Sequence, residues 1–186
     1  LQFTIPTLLT LLRIVFIPVL VVTFYLPFEA ANQVTVGLFI LAAITDGLDG
    51  WVARRFGMTS SFGAFLDPVA DKLMVTVVLM LILQRHPEIG IALSAAVIIG
   101  REITISALRE WMAALGEAGR VKVAWVGKLK TILQMVAIGF LLYGENLWVI
   151  PVLEIGRWLL IIAAVLTIWS MLIYLRSAWP AIRRQS

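Results

Sequence analysis

The chain has no cysteine. That excludes disulfides, thiolate metal sites and a cysteine nucleophile. It has one histidine, His86, which falls in an expected turn on the far side from the aspartates, at the other end of their segment, and makes a poor catalyst. Charge is scarce as well. Charged residues are 14% of the chain, where a soluble domain has about a quarter. What fills the gap is apolar: 61% of residues are hydrophobic and the mean hydropathy is +1.00. These residues fall in long blocks, not in short alternating runs. A bilayer helix needs roughly 20 mostly apolar residues, so the chain holds about six and little else. One membrane domain over residues 1–186 is expected, with no room for a soluble one. The net charge of +4 is modest and is read as a product of membrane topology, not of nucleic-acid binding.

Six apolar segments can be drawn, at about Pro6 to Leu26, Val34 to Arg55, Gly63 to Gln84, Ile89 to Leu115, Val121 to Tyr143 and Ile155 to Leu175. The breaks between them carry turn residues: Pro27, Asn32, Gly57 to Ser61, Pro87, Gly116 to Gly119, and Gly144 to Pro151. The first segment lacks a basic leader and a small-residue cleavage site, so it reads as a retained span. Arg54, Arg55, Arg120, Lys122, Lys128, Lys130, Arg176, Arg183 and Arg184 fall on one side of this arrangement. The other side offers Arg85 and Arg157. The positive-inside rule makes the richer side cytoplasmic. The expected fold is an all-α integral membrane protein with six transmembrane helices and both termini in the cytoplasm. Trp51, Trp111, Trp148 and Trp179 lie near span ends, as an interfacial belt does.

Residues 46 to 72 read DGLDGWVARRFGMTSSFGAFLDPVADK. Asp46 and Asp49 are spaced i, i+3, and Asp67 and Asp71 i, i+4, so each pair shares a helix face. A short loop makes their helices antiparallel neighbours, which brings four carboxylates into one small volume. Like charges that close, at a membrane helix end, need neutralising. Carboxylate oxygens suit hard divalent cations such as Mg²⁺, Mn²⁺ or Ca²⁺. Four can bracket two ions about 4 Å apart, the spacing used for in-line phosphoryl displacement. The bland alternative is helix-end charge. It suits Asp67, near a helix start, but not Asp46 and Asp49, near a C-terminal end that disfavours anions. Gly47, Gly50 and Ala53 leave room for a nucleotide against the helix, or for close helix packing. Gly63 opens the next segment after Thr59 to Ser61, whose hydroxyls are candidates to cap it.

Asp46, Asp49, Gly50, Ala53, Arg54, Gly63, Asp67 and Asp71 fill the pattern D-x2-D-G-x2-A-R-x8-G-x3-D-x3-D without departure. The block resembles the signature of the CDP-alcohol phosphotransferases. The resemblance implies six membrane helices, a site open to the cytoplasm, and release of CMP from a CDP-linked donor. It implies that Asp46, Asp49, Asp67 and Asp71 hold two divalent metal ions, Mg²⁺ or Mn²⁺. It implies that Asp71 is the candidate base, with Asp67 beside it in the catalytic pair, and that Gly50, Ala53 and Arg54 contact the CDP moiety. Homodimers are common in the family, so a second copy is an expected partner. The stretches IPTLLTLLR, REITISALREWMAALG and VGKLKT resemble those members that use CDP-diacylglycerol and sn-glycerol 3-phosphate, in the bacterial inner membrane.

An acceptor that bears a phosphate needs cations. Arg101 and Arg109 in the fourth segment and Lys128 at the start of the fifth are the candidates, with Lys130 behind them. Arg101 also has a structural partner to hand in Glu102, and the lysines could snorkel to anionic headgroups. Arg13, alone in the first segment, either lines the same cavity or anchors its helix. Serine, inositol phosphate and phosphatidylglycerol are the alternative acceptors. An ion-coupled transporter is the competing class, since intramembrane acids and bases also mark ion pathways. Acids gathered near one face and the lack of an internal repeat favour the enzyme.

Overall fold

A computed structural model describes residues 5–56, 61–116 and 125–183. It is all-helical among those residues: α1 (Ile5–Tyr25), α2 (Ala31–Phe56), α3 (Ser61–Arg85), α4 (Ile89–Ala114), α5 (Trp125–Tyr143) and α6 (Val152–Arg183). The only β feature described is an isolated bridge between Leu147 and Ile150. Four helices are long and apolar enough to cross a bilayer, over Thr7–Tyr25, Ala31–Leu48, Ile89–Ala114 and Val152–Ser177. The two helices outside that set, α3 and α5, carry several charges in their N-terminal halves: Asp67, Asp71 and Lys72 in one, Lys128 and Lys130 in the other.

The helices are apolar on the outside. On α1, Leu8, Leu12, Val15, Val19 and Val22 are exposed, while Thr7, Thr10 and Arg13 are buried with Ile17, Leu20 and Phe24. Both sets step by three and four residues, as the faces of one helix do. On α6, Trp158, Ile162, Val165, Trp169 and Leu172 are exposed, while Thr167 and Ser170 are buried. In water that arrangement would leave several large side chains unburied per helix, at about 1.5–3 kcal/mol each. In hydrocarbon it is the stable one: the polar side chains need partners and the apolar ones do not. The chain is a membrane protein.

Glycine ends two helices. Gly116 follows α4 with φ 73° and Gly144 follows α5 with φ 70°. Their amides return to Ala113 and Phe140 carbonyls at 3.0 and 3.1 Å, which satisfies helix-end acceptors through a residue free to adopt positive φ. The outermost difference from the sequence reading lies at α6. Its apolar run stops near Leu175 but the helix continues to Arg183. Charged residues end a membrane segment without ending the backbone ladder. The Arg183 guanidinium lies 5.6 Å over the Trp179 ring one turn back, and Trp179 is exposed, as an interfacial residue is.

The helices gather in two compact units. The first holds α1, α2, α3, the end of α5 and the turn that follows it. The second holds α4, most of α5 and α6 from Glu154 onward. In the first unit α1 packs on both α2 and α3, with Leu20, Val78, Leu79 and Ile82 fully buried. One end of this unit is locked by Arg85. Its Nη1 donates to Asn32 Oδ1 at 2.9 Å and to the Leu142 carbonyl at 3.1 Å, and Nη2 donates to the Phe24 carbonyl at 3.5 Å. A cation thus meets the C-terminal turns of α1 and α5, where the helix dipole favours it. The second unit has a lock of its own, in which Arg157 on α6 donates to Glu88, the N-cap of α4, and to Glu154.

Candidate active site

The sequence places Asp46 on α2 and Asp67 and Asp71 on α3. The first unit brings all three onto one atom of α1. Arg13 Nη1 lies 2.6 Å from Asp46 Oδ1, 2.6 Å from Asp71 Oδ1 and 3.5 Å from Asp67 Oδ1. The Asp71 contact is a hydrogen bond donated by the guanidinium. The arginine side chain is 2% exposed, and the three carboxylates are 42%, 44% and 48% exposed. The cluster is therefore layered: a buried cation forms the floor, and a half-open rim of carboxylates stands above it.

Local structure accounts for each position. Asp67 and Asp71 are one turn apart on α3, so their side chains emerge one above the other. Ala70, between them in sequence, faces inward and is fully buried. Arg13 lies on the buried stripe of α1 with Thr10 and Ile17. A guanidinium without anions there would be costly in hydrocarbon, and the aspartates of the neighbouring helices supply them.

Asp49, Gly50, Ala53 and Arg54 lie on the α2 backbone, but their side chains fall outside the described residues, as do Thr59 and Ser60 before α3. Gly47 is described and exposed, and a Cβ built there would meet no atom within 4 Å. Close helix packing therefore does not explain this glycine among the described residues. Ser61, expected as a helix cap, is instead the first residue of α3.

Among the described residues no group of three or more acids or histidines stands as a ready cage for a metal. The Asp49 side chain lies outside those residues, and the described carboxylates meet the Arg13 guanidinium. Their chemistry nevertheless fits a hard divalent cation. The donors are all carboxylate oxygens, they come from two helices, α2 and α3, and three of them already converge on one cationic atom.

The basic candidates lie in the second unit. Arg109 on α4 and Lys128 on α5 are exposed. Arg101 donates to Glu102 Oε1 at 3.0 Å and lies 5.8 Å over the Tyr174 ring of α6. Lys130 donates to the same carboxylate oxygen at 2.7 Å, and its side chain is 4% exposed. Glu102 thus ties two cations on two helices, and Gln134, one turn beyond Lys130, is buried with its Oε1 unbonded among the described residues. Sequence reasoning ranked Lys130 last and named Glu102 only as a partner for Arg101. It also left the role of Arg13 open. The signal for Arg13 was present: a lone arginine in an apolar helix must find anions, and the chain's densest group of acids lies on the next two segments.

The CDP-alcohol phosphatidyltransferase family model matches residues 3–169. A CDP-diacylglycerol–glycerol-3-phosphate 3-phosphatidyltransferase of Salmonella choleraesuis (strain SC-B67) is 53% identical over 177 residues, covering 95% of this chain and 96% of that protein. Proteins of the same name from Shigella flexneri serotype 5b and Escherichia coli K12 are each 50% identical over the same shares of both chains. The likeness is not confined to the acidic block. It runs from the start of α1 into α6, through both units, and on that evidence the chain belongs to the CDP-alcohol phosphatidyltransferase family.

Proposed function

We propose that the chain transfers the phosphatidyl group of CDP-diacylglycerol to sn-glycerol 3-phosphate, giving phosphatidylglycerophosphate and CMP. The observation that carries the reading is the 53% identity over nearly the full length of a relative with that activity in its name. The acidic cluster gives it a chemistry. An oxygen of the acceptor's primary hydroxyl attacks the lipid-linked phosphorus as the bond from that phosphorus to the CMP oxygen breaks. The hydroxyl proton passes to Asp71, and Asp67 holds the neighbouring position on the same helix face. Gly50, Ala53 and Arg54, the last three fixed positions on α2, contact the CDP moiety. Arg101, Arg109 and Lys128 serve the acceptor's phosphate, which guanidinium and ammonium groups bind by charge-assisted hydrogen bonds.

Asp46, Asp49, Asp67 and Asp71 would hold two divalent ions, Mg²⁺ or Mn²⁺, which when bound would neutralise charge on the donor's diphosphate. Residues 1–186 act as one catalytic domain of the bacterial inner membrane, with six spans and both termini and the site on the cytoplasmic side. The excess of Lys and Arg on that side supports the orientation.

Purified protein in detergent, given CDP-diacylglycerol and Mg²⁺, should release CMP with glycerol 3-phosphate. It should not do so with serine or inositol phosphate offered in its place. Release with another acceptor would overturn the assignment of the basic residues and leave the transfer chemistry standing. No release with any acceptor, from folded protein, would return the chain to transport.

A further inference from the structure

We infer that Arg13 competes with divalent metal for the catalytic carboxylates, so that loading the site means drawing Asp46 and Asp71 off the guanidinium. The inference rests on the metal reading above and goes beyond it. Arg13 Nη1 lies 2.6 Å from one oxygen of each of those aspartates. A magnesium ion needs carboxylate oxygens at about 2.1 Å in near-octahedral order. One oxygen cannot serve both a guanidinium hydrogen bond of that length and the inner shell of an ion on the same side without the two cations standing in contact. Like charges that close repel strongly in a site of low dielectric. Arg13 is also held where it is. Its side chain is 2% exposed and lies on the inward stripe of α1, packed on both helices that carry the acids.

The consequence is a built-in threshold. The arginine keeps the acids together and compensates them, so the three helices stay packed at low metal. The same arginine weakens metal binding. Removing it should have two opposed effects: a less stable protein when metal is stripped, and a tighter site when metal is supplied. A purely structural ion pair would give the first without the second.

The test compares wild type, Arg13→Met and Arg13→Lys in detergent, by isothermal titration with Mn²⁺ and by thermal melting with and without chelator. Arg13→Met should bind Mn²⁺ on the order of tenfold tighter than wild type. It should melt lower than wild type in chelator and gain more from Mn²⁺. Arg13→Lys, a shorter cation with one charged centre, should fall between. Equal Mn²⁺ affinity in all three would overturn the competition and leave the metal site intact. No Mn²⁺ binding by any of the folded proteins would instead remove the metal reading. If Arg13→Met does not fold, ¹⁵N resonances of the wild-type Arg13 guanidinium, assigned with Arg13→Lys, report the same event. They should shift on saturation with Mg²⁺, and unchanged resonances would overturn the inference.

Discussion

Each unit holds a small ionic cluster around a buried cation, and among the described residues the clusters are opposite in balance. In the first, one cation, Arg13, faces three carboxylates. In the second, one carboxylate, Glu102, faces two cations, Arg101 and Lys130. Among the described residues neither closes as a neutral pair. A buried ion pair is at best a weak source of stability, because desolvation offsets the attraction. An unbalanced one is worse, unless something else arrives to balance it. The first cluster is short of positive charge, which suits metal ions. The second is short of negative charge, and two further cations, Arg109 and Lys128, are exposed on the same two helices, α4 and α5. That suits an anionic acceptor. Burial alone would not separate the two proposed roles; the sign of the imbalance would.

The sharpest way to break the comparison is Asp71→Asn. In the first cluster Arg13 keeps Asp46 and Asp67 as partners, so the fold should survive with a melting temperature near that of wild type. The reaction loses its base, and kcat should fall on the order of a thousandfold. The measurement is CMP release with saturating CDP-diacylglycerol and glycerol 3-phosphate. A variant that stayed active at a tenth of wild type would move the base elsewhere.

The second cluster should fail differently. Glu102→Gln removes the one anion that Lys130 and Arg101 share. Lys130 is 4% exposed and would be left as an uncompensated buried charge. A loss of about 3 kcal/mol is expected, read as a fall in unfolding midpoint in graded denaturant. The double variant Glu102→Gln with Lys130→Met should recover much of it, since the stranded charge goes too. No loss in the single variant would mean that the ammonium finds other acceptors.

The helices were largely legible in the sequence. Apolar blocks with turn residues between them place α1 and α4 to within a residue at each end, because a bilayer span and a glycine stop both have chemical signatures. α2 and α6 were read short. Asn32 looks like a turn residue, but its side chain bonds Arg85 and Glu145 from within the first turn of α2. The site was legible where it depends on spacing within one helix, as for Asp67 and Asp71. It was not legible where it depends on which helices meet. Arg13 is one case. The lysines of α5 are the other. Lys128 and Lys130 are about 200° apart around the helix at 3.6 residues per turn, so only one can face inward. Composition does not say which, and the structure turns Lys130 in and Lys128 out.

That split supplies the smallest of the expected effects and the most selective. If the second cluster exists to present cations to an anion, its exposed member should act on binding and its buried member on folding. Lys128→Met should raise KM for glycerol 3-phosphate about tenfold, near 1.4 kcal/mol, with kcat and melting temperature little changed. Lys130→Met should lower the melting temperature first, because it removes a buried charge-assisted hydrogen bond to Glu102. Both are measured by the same two assays, initial rates across acceptor concentration and thermal melting in detergent. If Lys128→Met lowers stability and leaves KM alone, the exposed lysine belongs to the fold or the lipid surface, and the acceptor's phosphate is left to Arg101 and Arg109. If both lysines raise KM and neither alters melting, Glu102 is a removable tether and the cluster is wholly a binding device. The split outcome alone keeps the two clusters as the charge count describes them: one built around a missing cation, the other around a missing anion.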